Sequence, residues 1–242
     1  MSSDHTTPNE SQRKQVRYAV SDDCRLRASI KVRSSDEATA SKEWPGTLVD
    51  MSTGGAHIQI SLGAVAYIGD SCVLTLTHFG MKTEMGGTLA HYVCSSRHSV
   101  CGVRFDFSYG GSDKAYQRIL KAIIASSGLT AGPAGTDSSG RHREEYPGAD
   151  HAKLVVWRDK PGGTLTGFDF TMARYGAVLA KAGADMFENK AQVHFKSAEG
   201  GDTGMALSRA QEGEARWEFS LAASNLPQTI APDIRRLLRL VS

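Results

Sequence analysis

From Cys24 to Arg33 every second residue is apolar: Cys24, Leu26, Ala28, Ile30 and Val32 alternate with Arg25, Arg27, Ser29, Lys31 and Arg33. A period of two belongs to a strand with one buried and one wet face, because successive side chains point to opposite sides of a sheet. The pattern returns three times. Ala56, Ile58 and Ile60 alternate with His57 and Gln59; Cys72, Leu74 and Leu76 with Val73, Thr75 and Thr77; Cys101, Val103, Phe105 and Phe107 with Gly102, Arg104 and Asp106. Residues 47–50 and 86–93 are less regular but rich in Thr, Leu, Val and Tyr, which favour strands. Six short strands joined by Gly-bearing turns predict a small antiparallel barrel.

A helix follows. Ala115, Tyr116, Ile119, Leu120, Ile123 and Ile124 form an apolar stripe, with Ser112 or Asp113 as the N-cap and Gly128 as the stop. Residues 128–151 then lose all apolar periodicity and are rich in Gly, Ser and charge, which reads as a linker. Residues 152–242 are expected to repeat the plan. Arg216-Trp-Glu-Phe-Ser220 parallels Arg104-Phe-Asp-Phe-Ser108, and each precedes a helix. The second helix uses Ile230, Ile234, Leu237, Leu238 and Val241, with Pro232 in its first turn. The expectation is a mainly β chain of two six-stranded antiparallel barrels, each followed by a C-terminal helix.

Composition narrows the function. Lys and Arg number 28 against 26 Asp and Glu, a net charge of +2, which weighs against DNA as the main partner. No apolar run reaches the roughly 18 residues of a membrane span. The polar start, Met1-Ser-Ser-Asp-His-Thr-Thr-Pro8, lacks the apolar core of a secretion signal, so a cytoplasmic location is expected and residues 1–12 are expected to be disordered. Four scattered cysteines read as reduced core residues. There is no G-x-S-x-G, H-E-x-x-H or Walker loop, and no metal-ligand spacing, so neither an enzyme nor a cofactor is expected. His57, His91 and His194 fall on outward strand positions and read as surface residues.

Two local features remain. Arg13-Lys-Gln-Val-Arg17 stands just before the first long strand, and Asp50-Met-Ser-Thr-Gly-Gly55 stands where one strand turns into the next. Alone, each is common. In this order and 33 residues apart, from Arg17 to Asp50, they resemble the PilZ domain family of bacterial cyclic di-GMP receptors, whose pattern is R-x-x-x-R followed by [D/N]-x-S-x-x-G. The resemblance extends over residues 13–127. It implies a ligand site of Arg13, Arg17, Asp50, Ser52 and Gly55, with Lys14, Gln12 and Tyr92 as additional candidates. Arginine forks suit phosphate oxygens and guanine edges and stack on purines. Asp50 is an acceptor for guanine N–H groups, Ser52 can donate or accept beside it, and a bare Gly55 would let a base approach the backbone. Gln12 stands where many relatives carry a further arginine.

The corresponding turn in the second piece, Asp169-Phe-Thr-Met-Ala-Arg174, replaces the Gly with Arg174, and no R-x-x-x-R precedes it. The second unit is therefore expected to be a degenerate PilZ-like domain without the ligand motif. The resemblance implies a receptor that changes conformation on binding and regulates motility, exopolysaccharide, biofilm or virulence through an unidentified protein partner. The alternative is a ligand-free adaptor of pilus assembly. A homodimer is left open.

Overall fold

The alternating segments of the first half all become strands, and six of them close on themselves. The computed structural model describes residues 15–33, 42–62, 66–107, 112–172, 175–179, 193–197 and 205–242. In chain order the first unit contains β1 (Tyr18–Ala19), β2 (Arg27–Arg33), β3 (Glu43–Ser52), β4 (Gly55–Ile60), β5 (Ser71–His78), β6 (Met81–Cys94), β7 (Ser99–Phe105) and the helix α1 (Ser112–Ser127). The hydrogen-bonded order is β3-β2-β5-β6-β7-β4, and β4 pairs back to β3, which closes an antiparallel barrel with β1 appended to β3. Closure leaves the six strands of the ring without an open edge. The apolar members of each alternation fill the interior: Ile30, Ile58, Leu74 and Cys101 are fully buried. The cysteines are free. Burial pushes the Cys72 thiol up to about 12 and the Cys101 thiol up to about 11, so both stay protonated core residues. Cys94 departs from the core expectation and is exposed.

Helix α1 packs its stripe onto the barrel. Tyr116, Ile119, Leu120 and Ile123 are buried, and the Tyr116 ring meets Phe105 edge-on at 4.8 Å.

Among the described residues the second unit shows no second barrel, because its sheet is not closed. Its elements are β8 (Ala134–Thr136), β9 (His142–Pro147), β10 (Lys153–Arg158), β11 (Leu165–Met172), β12 (Tyr175–Leu179), β13 (Val193–Ser197), α2 (Arg209–Ser224) and α3 (Pro232–Val241). The sheet is a plain antiparallel meander in sequence order, and its ends, β8 and β13, do not pair with each other. The expected linker, residues 128–151, already contains β8 and β9 of this sheet.

The expected repeat fails at Arg216–Ser220. These residues lie inside α2, a helix opened by a capping box between Ser208 and Gln211. Ala215, Phe219, Ala222 and Ala223 are buried on it at helical spacing, which a strand could not bury on one face. The segment expected as a strand is thus a helix packed on the sheet. Phe219 is its anchor, stacked on Phe168 at 5.8 Å and edge-on to Phe170 and Phe195. Arg174 lies outside the described residues. Arg158, nearly buried, ties the unit together with bonds to Glu144, the Gly163 carbonyl and Asp233 of α3.

The two units share one core. Helix α1 lies against α2, with Arg118 bonded to Glu218 at 3.0 Å and its guanidinium over the Trp217 ring. Trp217 in turn meets His78 edge-on at 5.1 Å. Asn225 bridges the units: its Oδ1 accepts from the Ser21 amide at 2.7 Å and its Nδ2 donates to Ser126 Oγ at 3.0 Å.

Candidate ligand site on the barrel wall

Asp50 faces outward because β3 contains a bulge. Strict alternation from the buried Leu48 would turn Asp50 inward and Met51 outward. The register instead shifts between Leu48 and Asp50, so Val49 and Asp50 both face out and Met51 is buried. An extra residue in one strand re-aims the side chains beyond it.

Asp50 is then approached from both sides. Arg17, the residue before β1, lies with Nη1 2.7 Å from Asp50 Oδ1. His57, opposite Asp50 on β4, places Nδ1 2.9 Å from Oδ2. Burial pushes the Asp50 carboxyl up, but the hydrogen bonds and charges of His57 and Arg17 outweigh it and hold it below the usual carboxylate range. His57, expected as an ordinary surface residue, is therefore a member of the cluster. Only the strand pairing brings it there.

The Ser52–Gly55 turn is clamped from beneath. Ser52 is buried, and its Oγ contacts the Gly55 carbonyl at 3.2 Å and Gln15 Oε1 at 3.3 Å. Tyr116 of α1 donates to the Ser52 carbonyl at 2.6 Å. Gly55 sits against β7, where an added Cβ would stand 2.2 Å from the Val103 carbonyl oxygen. Its bareness thus lets two strands approach.

Beyond His57 the cross-strand row continues through Gly102 to His91. An added Cβ on Gly102 would lie 3.0 Å from both histidines, whose ring centroids are 6.2 Å apart. Gly102 therefore lies beneath the two histidines beside the Asp50 cluster, and its lack of a side chain lets them close over it. His91 faces this row because β6 also bulges, between Leu89 and His91. The same bulge takes Tyr92 away from the site. Tyr92 stands opposite the buried Cys101, packs against the core and donates to Ser99 Oγ at 3.2 Å. His91, not Tyr92, thus stands on the outward row beside the Asp50 cluster. Arg13, Lys14 and Gln12 lie outside the described residues.

Residues 11–125 match the family described as PilZ domain. That stretch belongs to the PilZ family. It spans the whole barrel, the Arg17–Asp50–His57 cluster and nearly all of α1. Among solved structures, the chain is similar to the PilZ domain with c-di-GMP of YcgR from Escherichia coli, at 13% identity and a TM-score of 0.36, over 46% of this chain and 91% of that one. No curated protein matches the chain. The PilZ unit thus ends where the second sheet begins, and the match does not extend to β8–β13.

Proposed function

We propose that the chain is a cyclic di-GMP receptor whose ligand site is formed by Arg13, Arg17, Asp50, Ser52 and Gly55. The observation that carries this reading is the convergence of Arg17, Asp50 and His57 at the Ser52–Gly55 turn of a PilZ domain. The Arg17–Asp50 pair matches the two halves of the ligand. A guanidinium bonds phosphate or a guanine edge, and a carboxylate accepts guanine N–H groups. Binding exchanges the internal pair for these contacts, while His57 keeps Asp50 oriented. The imidazoles of His57 and His91, side by side over Gly102, offer a base two ring edges next to the pair. Gly55 and Ser52 act by shaping the turn.

The output path is short. Arg17 leads directly into β1, and Ser21, four residues on, bonds to Asn225 of the second unit. Capture of Arg17 by a ligand would alter the seam between the units, provided the ligand has different affinities for two arrangements. The protein then acts in the cytoplasm as a regulator rather than an enzyme, through a partner recognised by the second unit, which lacks the cyclic di-GMP motif. Calorimetric titration of cyclic di-GMP into the full chain tests this, with Arg17→Ala alongside. Saturable binding that weakens in the variant supports it. A folded wild type that binds nothing moves the reading to the ligand-free adaptor.

A further inference from the structure

The seam between the two units carries a concentration of arginine that the receptor reading does not use. A groove of about 400 Å³ is lined by Asp23 and Arg25 of the PilZ unit and by Pro232, Arg235, Arg236, Arg239 and Leu240 of α3. Four arginines and one carboxylate line it, a local positive surplus larger than the +2 of the whole chain. Asp23 indicates what the groove takes. One of its oxygens lies 2.6 Å from Arg239 Nη2 and 3.6 Å from Arg235 Nη1, so these guanidinium groups already hold an oxyanion of the chain's own. Arg25 is fixed beside them by donating to the Arg239 carbonyl at 2.9 Å.

Arg25 also lines a second groove of about 590 Å³, together with Cys24, Arg27, Thr77, His78, Phe79 and Gly80. The positive charge continues into it. Arg27 stands opposite Thr77, and Thr77 opposite Lys82, so two cations share one outward row. Phe79 is the unusual residue. It is 61% exposed and has φ of 48°, the first position of the two-residue Phe79-Gly80 turn between β5 and β6. That conformation favours asparagine and strains a bulky side chain, and at this exposure little burial offsets the strain. An exposed aromatic ring set among arginines is the combination that binds a base and its phosphates.

We infer that this seam is a second binding site, distinct from the Asp50 cluster, for a ligand bearing phosphates and a base. The phosphates lie on Arg235, Arg236, Arg239 and Arg25, displacing Asp23, and the base lies against Phe79. The ligand is a free nucleotide or a single-stranded nucleic acid, which share this chemistry. Because the groove is built from both units, occupancy bears on how they are held together.

The test uses the full chain carrying Arg17→Ala, so that the Asp50 cluster does not contribute. A fluorescein-labelled 12-nucleotide single-stranded DNA is titrated in, with ATP as competitor. Binding should weaken about twentyfold between 50 and 200 mM salt, as expected for about three phosphate contacts on a single strand. Arg236→Glu, at an exposed position, should weaken it at least tenfold without changing the melting temperature. Phe79→Asn should weaken it several-fold while raising the melting temperature, an opposition that a purely structural Phe79 would not give. Displacement by ATP at comparable concentration assigns the site to a free nucleotide, and failure of ATP to compete assigns it to the strand. The inference is overturned if the folded protein binds neither probe, if Arg236→Glu leaves binding unchanged, or if a polyglutamate peptide binds more tightly than either.

Discussion

Arg17 Nη1 lies 2.7 Å from Asp50 Oδ1, across 33 residues of sequence, and the bond occupies the carboxylate that a guanine would need. In the free protein the two halves of the proposed site therefore hold each other. Charge-assisted hydrogen bonds are worth about 1.5–3 kcal/mol each. Arg17→Ala should weaken cyclic di-GMP binding at least about tenfold while leaving the barrel folded, measured by calorimetry beside circular dichroism. Unchanged affinity would remove Arg17 from the site.

Asp50 also sets an acid limit. Its carboxyl is held below the ordinary value of 3.8 in the folded state. Its contribution to stability is therefore fully present above that value and lost as pH falls through the folded one. Asp50→Asn should flatten this part of the curve. Urea melts from pH 6 down to 3 should show the wild type losing stability toward the acid end and the variant losing less.

The turn and helix α1 are coupled through one hydroxyl. Tyr116→Phe removes the 2.6 Å bond to the Ser52 carbonyl and leaves a buried acceptor short of its best donor. The expected cost is about 1–3 kcal/mol, read as a lower melting temperature and weaker ligand binding. Gly55→Ala should be worse, because its Cβ would stand 2.2 Å from the Val103 carbonyl oxygen, a backbone atom that cannot swing aside. A Gly55→Ala protein as stable as wild type would refute this reading of the turn.

Asn225 holds the seam with two bonds, to the Ser21 amide and to Ser126 Oγ. Asn225→Ala should destabilise by about 1–3 kcal/mol. It should also increase hydrogen exchange at the Ser21 amide more than in the strands of either sheet. Equal protection at Ser21 in wild type and variant would show that the seam does not depend on this residue.

His78 makes the seam sensitive to mild acid. Burial against Trp217, reinforced by the charge of Arg25, outweighs hydrogen bonding to backbone carbonyls and holds its pKa below the ordinary 6.5. The unfolded chain then binds the proton more readily than the folded one. Stability is accordingly full above 6.5 and falls as pH drops below it toward the folded value. His78→Gln should reduce this loss, seen as converging melting temperatures of variant and wild type between pH 7.5 and 5.

The periodicities of the first unit are readable residue by residue. Cys72–Thr77 falls within β5, the stripe from Ala115 to Ile124 is α1, and the helix at Pro232 is α3. The paired motifs Arg13–Arg17 and Asp50–Gly55 point to the family, because local side-chain chemistry and its spacing lie wholly in the sequence. Arg216–Ser220 misleads, since five residues of strand-like composition cannot reveal that Ala215, Phe219 and Ala222 bury a helical face on a sheet.

The order of residues along the chain is enough to say which are apolar, in what period, and which charged and glycine residues flank the turns. Which way the key side chains face is settled only when strands pair. Alternation alone turns Asp50 inward and keeps Tyr92 beside the site. Two bulges, at Leu48/Asp50 and Leu89/His91, reverse both. A bulge exists only in a pair of strands, as one extra residue against a partner. The row that joins Asp50 to His57, Gly102 and His91 is likewise a property of strand register, not of any one segment.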